Sequence, residues 1–152
     1  MTLRSLLAFA VALLLGAGNA GAQIASRPAA DWVKVLDNPE RLAAMKIDEV
    51  VAALRLRPGD VVADLGAGSG PFVVPFAKAV TRTGTVYAVE IDRGFFPYIE
   101  QKAKDAGVTN VRTVLGAFAD PKLPSADVDV AFMHDVLHHV EKRPEELRAL
   151  VT

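Results

Sequence analysis

The chain has no cysteine among its 152 residues, which removes disulfides, thiolate metal sites and a cysteine nucleophile together. It has no excess of positive charge either: 17 Lys and Arg stand against 18 Asp and Glu, a formal net charge of -1. Without a basic field to neutralise a row of phosphates, nucleic acid is not an expected partner. There is no internal repeat and no low-complexity tract, and 51% hydrophobic residues with 11 Gly and 9 Pro exclude disordered and collagen-like chains. What remains is one globular domain.

Nor is there an apolar run long enough to span a bilayer, which takes roughly 20 residues. The run Leu6 to Leu15 is shorter than that; it follows Arg4, the only charge in residues 1–22, and precedes small residues ending in Ala20-Gly21-Ala22. This order of basic, apolar and small segments is that of a secretory signal peptide. Residues 1–22 are therefore expected to be a leader cleaved before Gln23, with a cut after Ala20 as the alternative, which makes the chain exported, periplasmic or secreted, with no stable membrane span afterwards. Losing Arg4 leaves the mature chain near neutral.

Residues 23–39 read as a lead-in segment whose Trp32, Val33 and Leu36 can dock on the domain that follows, residues 40–152. Leu42, Met45, Val50, Ala53 and Leu54 recur with charges between them, and the pattern predicts a helix over Glu40 to Leu56, stopped at Arg57-Pro58-Gly59. Val61 to Leu65 reads as a strand buried on both faces. A helix carrying Phe72, Phe76 and Val80 follows, with Pro75 either in its first turn or bending it. Thr85 to Val89 reads as a second strand, Arg93 to Ala106 as a helix stopped by Gly107, Val111 to Leu115 as a third strand and Val128 to Met133 as a fourth. Residues 135–140 and 144–151 read as helical. Strands separated by helical stretches imply right-handed crossovers and a parallel sheet with helices on both faces.

The strongest local signal is Asp64-Leu65-Gly66-Ala67-Gly68-Ser69-Gly70, directly after the first strand and before a helix. Glycines there let the backbone turn sharply and let a ligand approach without a Cβ in the way. A dinucleotide fingerprint is G-x-G-x-x-G. Here the spacing is G-x-G-x-G, with Pro71 where that third glycine would fall. An acid two residues before the first glycine also sits badly beside a pyrophosphate and well beside an ammonium group. About 20 residues further on, Glu90 ends the second strand, where a carboxylate can accept hydrogen bonds from both hydroxyls of a ribose. Asp92 either joins it or caps the next helix. His134 and His138 stand four apart, as metal ligands on a helix can, but no Glu adjoins the first and no third ligand is evident, so no metal is expected. Either imidazole is suited to accept a proton near neutral pH.

The succession DLGAGSG, TGTVYAVEID, NVRTVLGAFADPKLPSADVDVAFMHDVLHHV resembles the class I S-adenosylmethionine-dependent methyltransferases in the order and spacing of their first four motifs, over Leu42 to Val151. The resemblance implies an α/β, Rossmann-like, doubly wound parallel sheet with strand order 3-2-1-4. The remaining strands of the family's seven-stranded sheet have no counterpart before Thr152, and the chain is expected to be truncated at its C-terminus. S-adenosyl-L-methionine is the implied cofactor. Asp64, Gly66, Ala67, Gly68 and Gly70 would surround its methionine part, Glu90 would hold the ribose, and Ala117, Phe118 and Asp120 would contact adenine, with Ala117 standing where many relatives have an acid. His134 and His138 fall in the fourth motif, which faces the methyl donor.

The expected function is methyl transfer to an unidentified acceptor, a small molecule. The alternatives are a noncatalytic nucleoside-binding module of the exported envelope and an NAD-dependent oxidoreductase, which the glycine spacing disfavours.

Overall fold

The computed structural model describes residues 27–117, 120–124 and 127–136. The expected leader, residues 1–22, lies outside them, as do Phe118, His138 and most of the two helices expected over 135–151.

Three short helices precede the sheet: α1 (Ala29–Leu36), α2 (Pro39–Ala44) and α3 (Ile47–Leu54). The segment read as a lead-in is thus helical, and Trp32, Val33 and Leu36 pack against the core. Asn38 caps α2, its side-chain oxygen accepting from the N–H groups of Glu40 (2.9 Å) and Arg41 (3.3 Å). The single helix expected over Glu40 to Leu56 is instead broken at Lys46, which sits in the left-handed region at φ 48. The reason is geometric. At 3.6 residues per turn, Leu42 and Met45 fall on one side of a straight helix and Ile47, Val50, Val51 and Leu54 on the other. Only a break lets both sets reach the same core, where all six are found.

The sheet is parallel throughout. Strand β1 (Val61–Leu65) lies between β2 (Thr85–Glu90) and β4 (Val130–Met133), β2 pairs outward with β3 (Val111–Leu115), and the order is β3-β2-β1-β4. The 3-2-1-4 order that the family resemblance implied is the order observed. The fourth strand is shorter than expected because Asp129 ends the loop before it: its carboxylate accepts from Val61 N at 2.8 Å and its own N–H donates to Val61 O at 2.9 Å.

Helix α4 (Val73–Ala79) connects β1 to β2, and a 3₁₀ turn (Arg93–Phe95) leads into α5 (Phe96–Asp105) between β2 and β3. Pro75 is the third residue of α4, where its missing N–H costs no helical bond. Alternation along the strands sorts the core into two faces. Val62, Val86 and Ala88 face Phe72, Phe76 and Ile99 of the helical layer. Ala63, Leu65, Tyr87 and Val89 point the other way, toward partly buried Val114, Leu123, Val128 and Met133. Among the described residues, all helices pack on the first face.

Candidate functional site

The glycine loop is built by the end of β1 folding back over the end of β2. Gly66 N and Ala67 N both donate to Val89 O, at 2.8 and 3.0 Å. That turn needs left-handed backbone: Gly66 has φ +75 and Gly68 φ +55, a region that side chains with a Cβ enter only at a cost. At Gly66 space is short as well, since a Cβ would stand 2.5 Å from Val136 Cγ2. The segment after β4 therefore closes directly over the loop.

Glu90 is clasped where the loop meets β2. Its Oε2 accepts from Gly68 N at 2.9 Å, while Oε1 accepts from Ile91 N (2.7 Å) and Asp92 N (3.3 Å). A carboxylate has about four lone-pair positions, so these three bonds leave one on Oε2. The sequence suggested that Glu90 could serve both hydroxyls of a ribose; in this arrangement the backbone has taken most of that capacity.

Asp64 is the unusual group. It is 3% exposed, and its Oδ2 is buried with no hydrogen-bond partner among the described residues. Burial, and then the charge of Glu90, push its carboxyl up from 3.8 to about 7. A buried carboxylate without a partner is costly, and the charge that relieves it is positive. The donor set thus fits a ligand with an ammonium group and a ribose: an orphaned acidic oxygen, a glycine-lined approach and a part-engaged carboxylate stand together at the carboxyl ends of β1 and β2.

The other expected site residues are placed as follows. Asp92 caps the 3₁₀ turn, its Oδ1 accepting from Gly94 N at 2.8 Å. Gly116 N donates to Glu90 O at 3.1 Å, which brings the start of the expected adenine segment to the end of β2. Ala117 and Asp120 form an antiparallel bridge, and the Asp120 carboxylate accepts from Lys122 N at 2.8 Å, so that side chain shapes its own turn. His134 follows β4 with its ring centroid 5.3 Å from that of Phe72 and 6.5 Å from that of Phe132. Phe132 pairs in register with Asp64, so His134 stands at the mouth between β1 and β4. This is the topological switch point of a 3-2-1-4 sheet, where open α/β folds bind ligands. Phe118 and His138 lie outside the described residues, and no three metal-ligating side chains converge among those described.

Three residues at this site went unnoticed in the sequence. Asp37, just after α1, accepts from Ser69 Oγ at 2.6 Å and from Lys102 Nζ of α5 at 2.8 Å, and Lys102 also donates to Ser69 O at 2.8 Å. Their separation along the chain leaves no local pattern to find. Arg41 of α2 adds a second tie, donating to Leu36 O at 3.1 Å and standing 3.7 Å from the Asp135 carboxylate.

Comparison with known proteins agrees with this geometry. The family described as "Methyltransferase domain" matches residues 62–151. Ribosomal RNA small subunit methyltransferase A of Pelotomaculum thermopropionicum is 36% identical over 89 residues, 57% of this chain and 28% of that protein. The ubiquinone/menaquinone biosynthesis C-methyltransferase of Burkholderia mallei is 31% identical over 103 residues, 64% of this chain and 41% of that protein. The chain thus spans less than half the length of these curated relatives. Among solved structures, a SAM-dependent methyltransferase from Aquifex aeolicus superposes with TM-score 0.71 at 28% identity, covering 79% of this chain and 64% of that one. Coclaurine N-methyltransferase bound to N-methylheliamine and SAH, at TM-score 0.60 and 24% identity over 72% of this chain and 30% of that one, shares the fold.

Proposed function

The chain belongs to the methyltransferase domain family, and on that premise we propose that it moves a methyl group from S-adenosylmethionine to a small-molecule acceptor. The observation that carries this reading is the buried Oδ2 of Asp64 beside the glycine loop, which has no hydrogen-bond partner among the described residues. Asp64 pairs with the ammonium group of the methionine part, and the loop's missing Cβ atoms give that part room. The remaining lone pair of Glu90 Oε2 accepts from a ribose hydroxyl. Gly116, Ala117 and Asp120 border the adenine, the Asp120 carboxylate already accepting from Lys122 N. When bound, the cofactor would supply an activated methyl on a sulfonium sulfur for transfer to an acceptor lone pair. The protein's share is mainly alignment, and His134, at the mouth between β1 and β4, would accept the proton that a neutral acceptor gives up.

The near-neutral charge supports a small acceptor over a nucleic acid. Among the described residues no helix is long and apolar enough to cross a membrane. Calorimetric titration of the chain with S-adenosylhomocysteine, and separately with NAD, tests the cofactor assignment. Binding of the former alone is expected, because Asp64 and Glu90 would face a pyrophosphate with like charge. Tighter binding of NAD would overturn it.

We also propose that residues 1–22 are removed on export and that the mature chain runs as a lead-in, 23–39, joined to the methyltransferase domain, 40–152. The composition of the first 22 residues supports this. Protein recovered from the cell envelope is expected to begin at Gln23; a sequence beginning at Met1 would reject cleavage.

A further inference from the structure

Ser69 stands between two glycines whose amides are tied on one side, Gly68 N to Glu90 Oε2 and Gly70 N to Ala67 O, so the shape of the rest of the loop depends on what fixes Ser69. Gly68 and Gly70 take φ +55 and +78, values that glycine leaves as readily as it adopts. Ser69 itself is fully buried, and both of its polar ends are tied to residues outside the loop. Its hydroxyl donates to Asp37 Oδ1 at 2.6 Å, and its carbonyl accepts from Lys102 Nζ at 2.8 Å. Lys102 and Asp37 close the triangle, with Nζ 2.8 Å from both carboxylate oxygens. The pair is part-buried, which spares it much of the solvent screening that weakens surface ion pairs. Beside it, Leu36 Cδ1 lies 3.2 Å from where a Cβ of Gly68 would be, so the end of α1 forms a wall of the loop.

We propose that Asp37 and Lys102 are a positioning pair, which fixes the peptide between Gly68 and Gly70 from two separate helical elements and so pre-organises the cofactor site. Neither touches the cofactor in this reading; they act through Ser69, and the inference rests on the cofactor assignment made above. It also makes the segment before the family match part of the site, because Asp37 precedes residue 62, where that match begins. With either partner removed, the loop samples other glycine conformations and binding must select the competent one, which lowers affinity by the fraction competent.

The test compares the full chain with Asp37→Ala, Asp37→Asn, Lys102→Met and the double variant Asp37→Ala/Lys102→Met. Each of the first and third is expected to weaken S-adenosylhomocysteine binding about tenfold, and the double variant no more than either alone, since they break one device. Asp37→Asn keeps an acceptor for Ser69 and is expected to recover part of the loss. Wild-type affinity in both single variants, or losses that multiply in the double, would overturn the pair. Amide hydrogen exchange at Gly68 and Gly70 gives a readout that needs no ligand. Faster exchange in Lys102→Met, with the strand amides unchanged, is expected, and unchanged loop exchange overturns the positioning role. If the wild-type chain fails to bind S-adenosylhomocysteine while loop exchange still responds, the cofactor assignment fails and the positioning pair stands.

Discussion

Asp64→Asn is expected to make the ligand-free protein more stable at pH 8 while depriving it of its cofactor. The carboxyl of Asp64 is held at about 7 in the fold against 3.8 ordinarily. An acid whose folded pKa is raised leaves the folded state holding more protons than the unfolded one between those two values. Stability therefore falls as pH rises from about 4 to about 7 and stays low above it. Bounded by the whole shift, the penalty is roughly 4 kcal/mol at pH 8. An amide carries no charge but places a buried N–H₂ where Oδ2 has no partner, which returns about 1–3 kcal/mol of that. The net gain is then about 1–3 kcal/mol at pH 8, and it turns to a loss near pH 4, where the carboxyl is already neutral. Urea denaturation at pH 4, 6 and 8 reads this directly; equal destabilisation at all three would mean the carboxylate carries no penalty.

Binding should move the other way. An ammonium group beside Asp64 favours its ionised form, so near pH 6 uptake of S-adenosylhomocysteine releases a proton, and the measured enthalpy depends on the buffer's own ionisation enthalpy. Asp64→Asn abolishes that dependence and weakens binding by about 2–3 kcal/mol, the worth of a hydrogen bond to a charged group. On the proposed assignment, the residue that destabilises the empty fold is the one the ligand would pair with, which would account for a buried carboxylate without a partner among the described residues.

The positions of Asp64 and Glu90 were legible because each rests on local pattern: a short apolar run, then glycines, then an acid at the end of the next run. The strand order was legible only through the family resemblance, since crossovers fix handedness and not sequence of pairing. Other features had no local carrier. The break at Lys46 is written in the helical phase of Leu42 and Met45 against Val50 and Leu54, yet charge spacing made the stretch read as one helix. The tie from Asp37 to Lys102 spans 65 positions and joins a residue after one helix to the flank of another. The engagement of Glu90 by backbone amides, and of Asp120 by Lys122 N, was hidden for a different reason. A sequence names the acceptor but not the N–H groups that a turn aims at it.

Substitution of Glu90 is expected to cost the fold and the cofactor together, and the two costs can be separated. Glu90→Ala leaves the N–H groups of Gly68, Ile91 and Asp92 without their acceptor. These donors are part-buried, so each costs at most about 1–3 kcal/mol where water does not replace the carboxylate, and relief of the charge that raises Asp64 offsets part of this. A net destabilisation of about 2–4 kcal/mol, seen as a lowered urea midpoint, is expected. Lost affinity in that variant would therefore report a collapsed loop as readily as a lost ribose contact. Glu90→Gln is the better probe, since one oxygen still accepts from Ile91 and Asp92 while the amide nitrogen turns a donor toward Gly68 N. A chemical cycle then isolates the ribose: S-adenosylhomocysteine is compared with its analogue lacking both ribose hydroxyls, against wild type and Glu90→Gln. The wild type is expected to lose about 1.5–3 kcal/mol with the analogue, as for a hydrogen bond to a charged acceptor, and the variant much less. Equal losses in both proteins would show that Glu90 holds the glycine loop and nothing of the ligand.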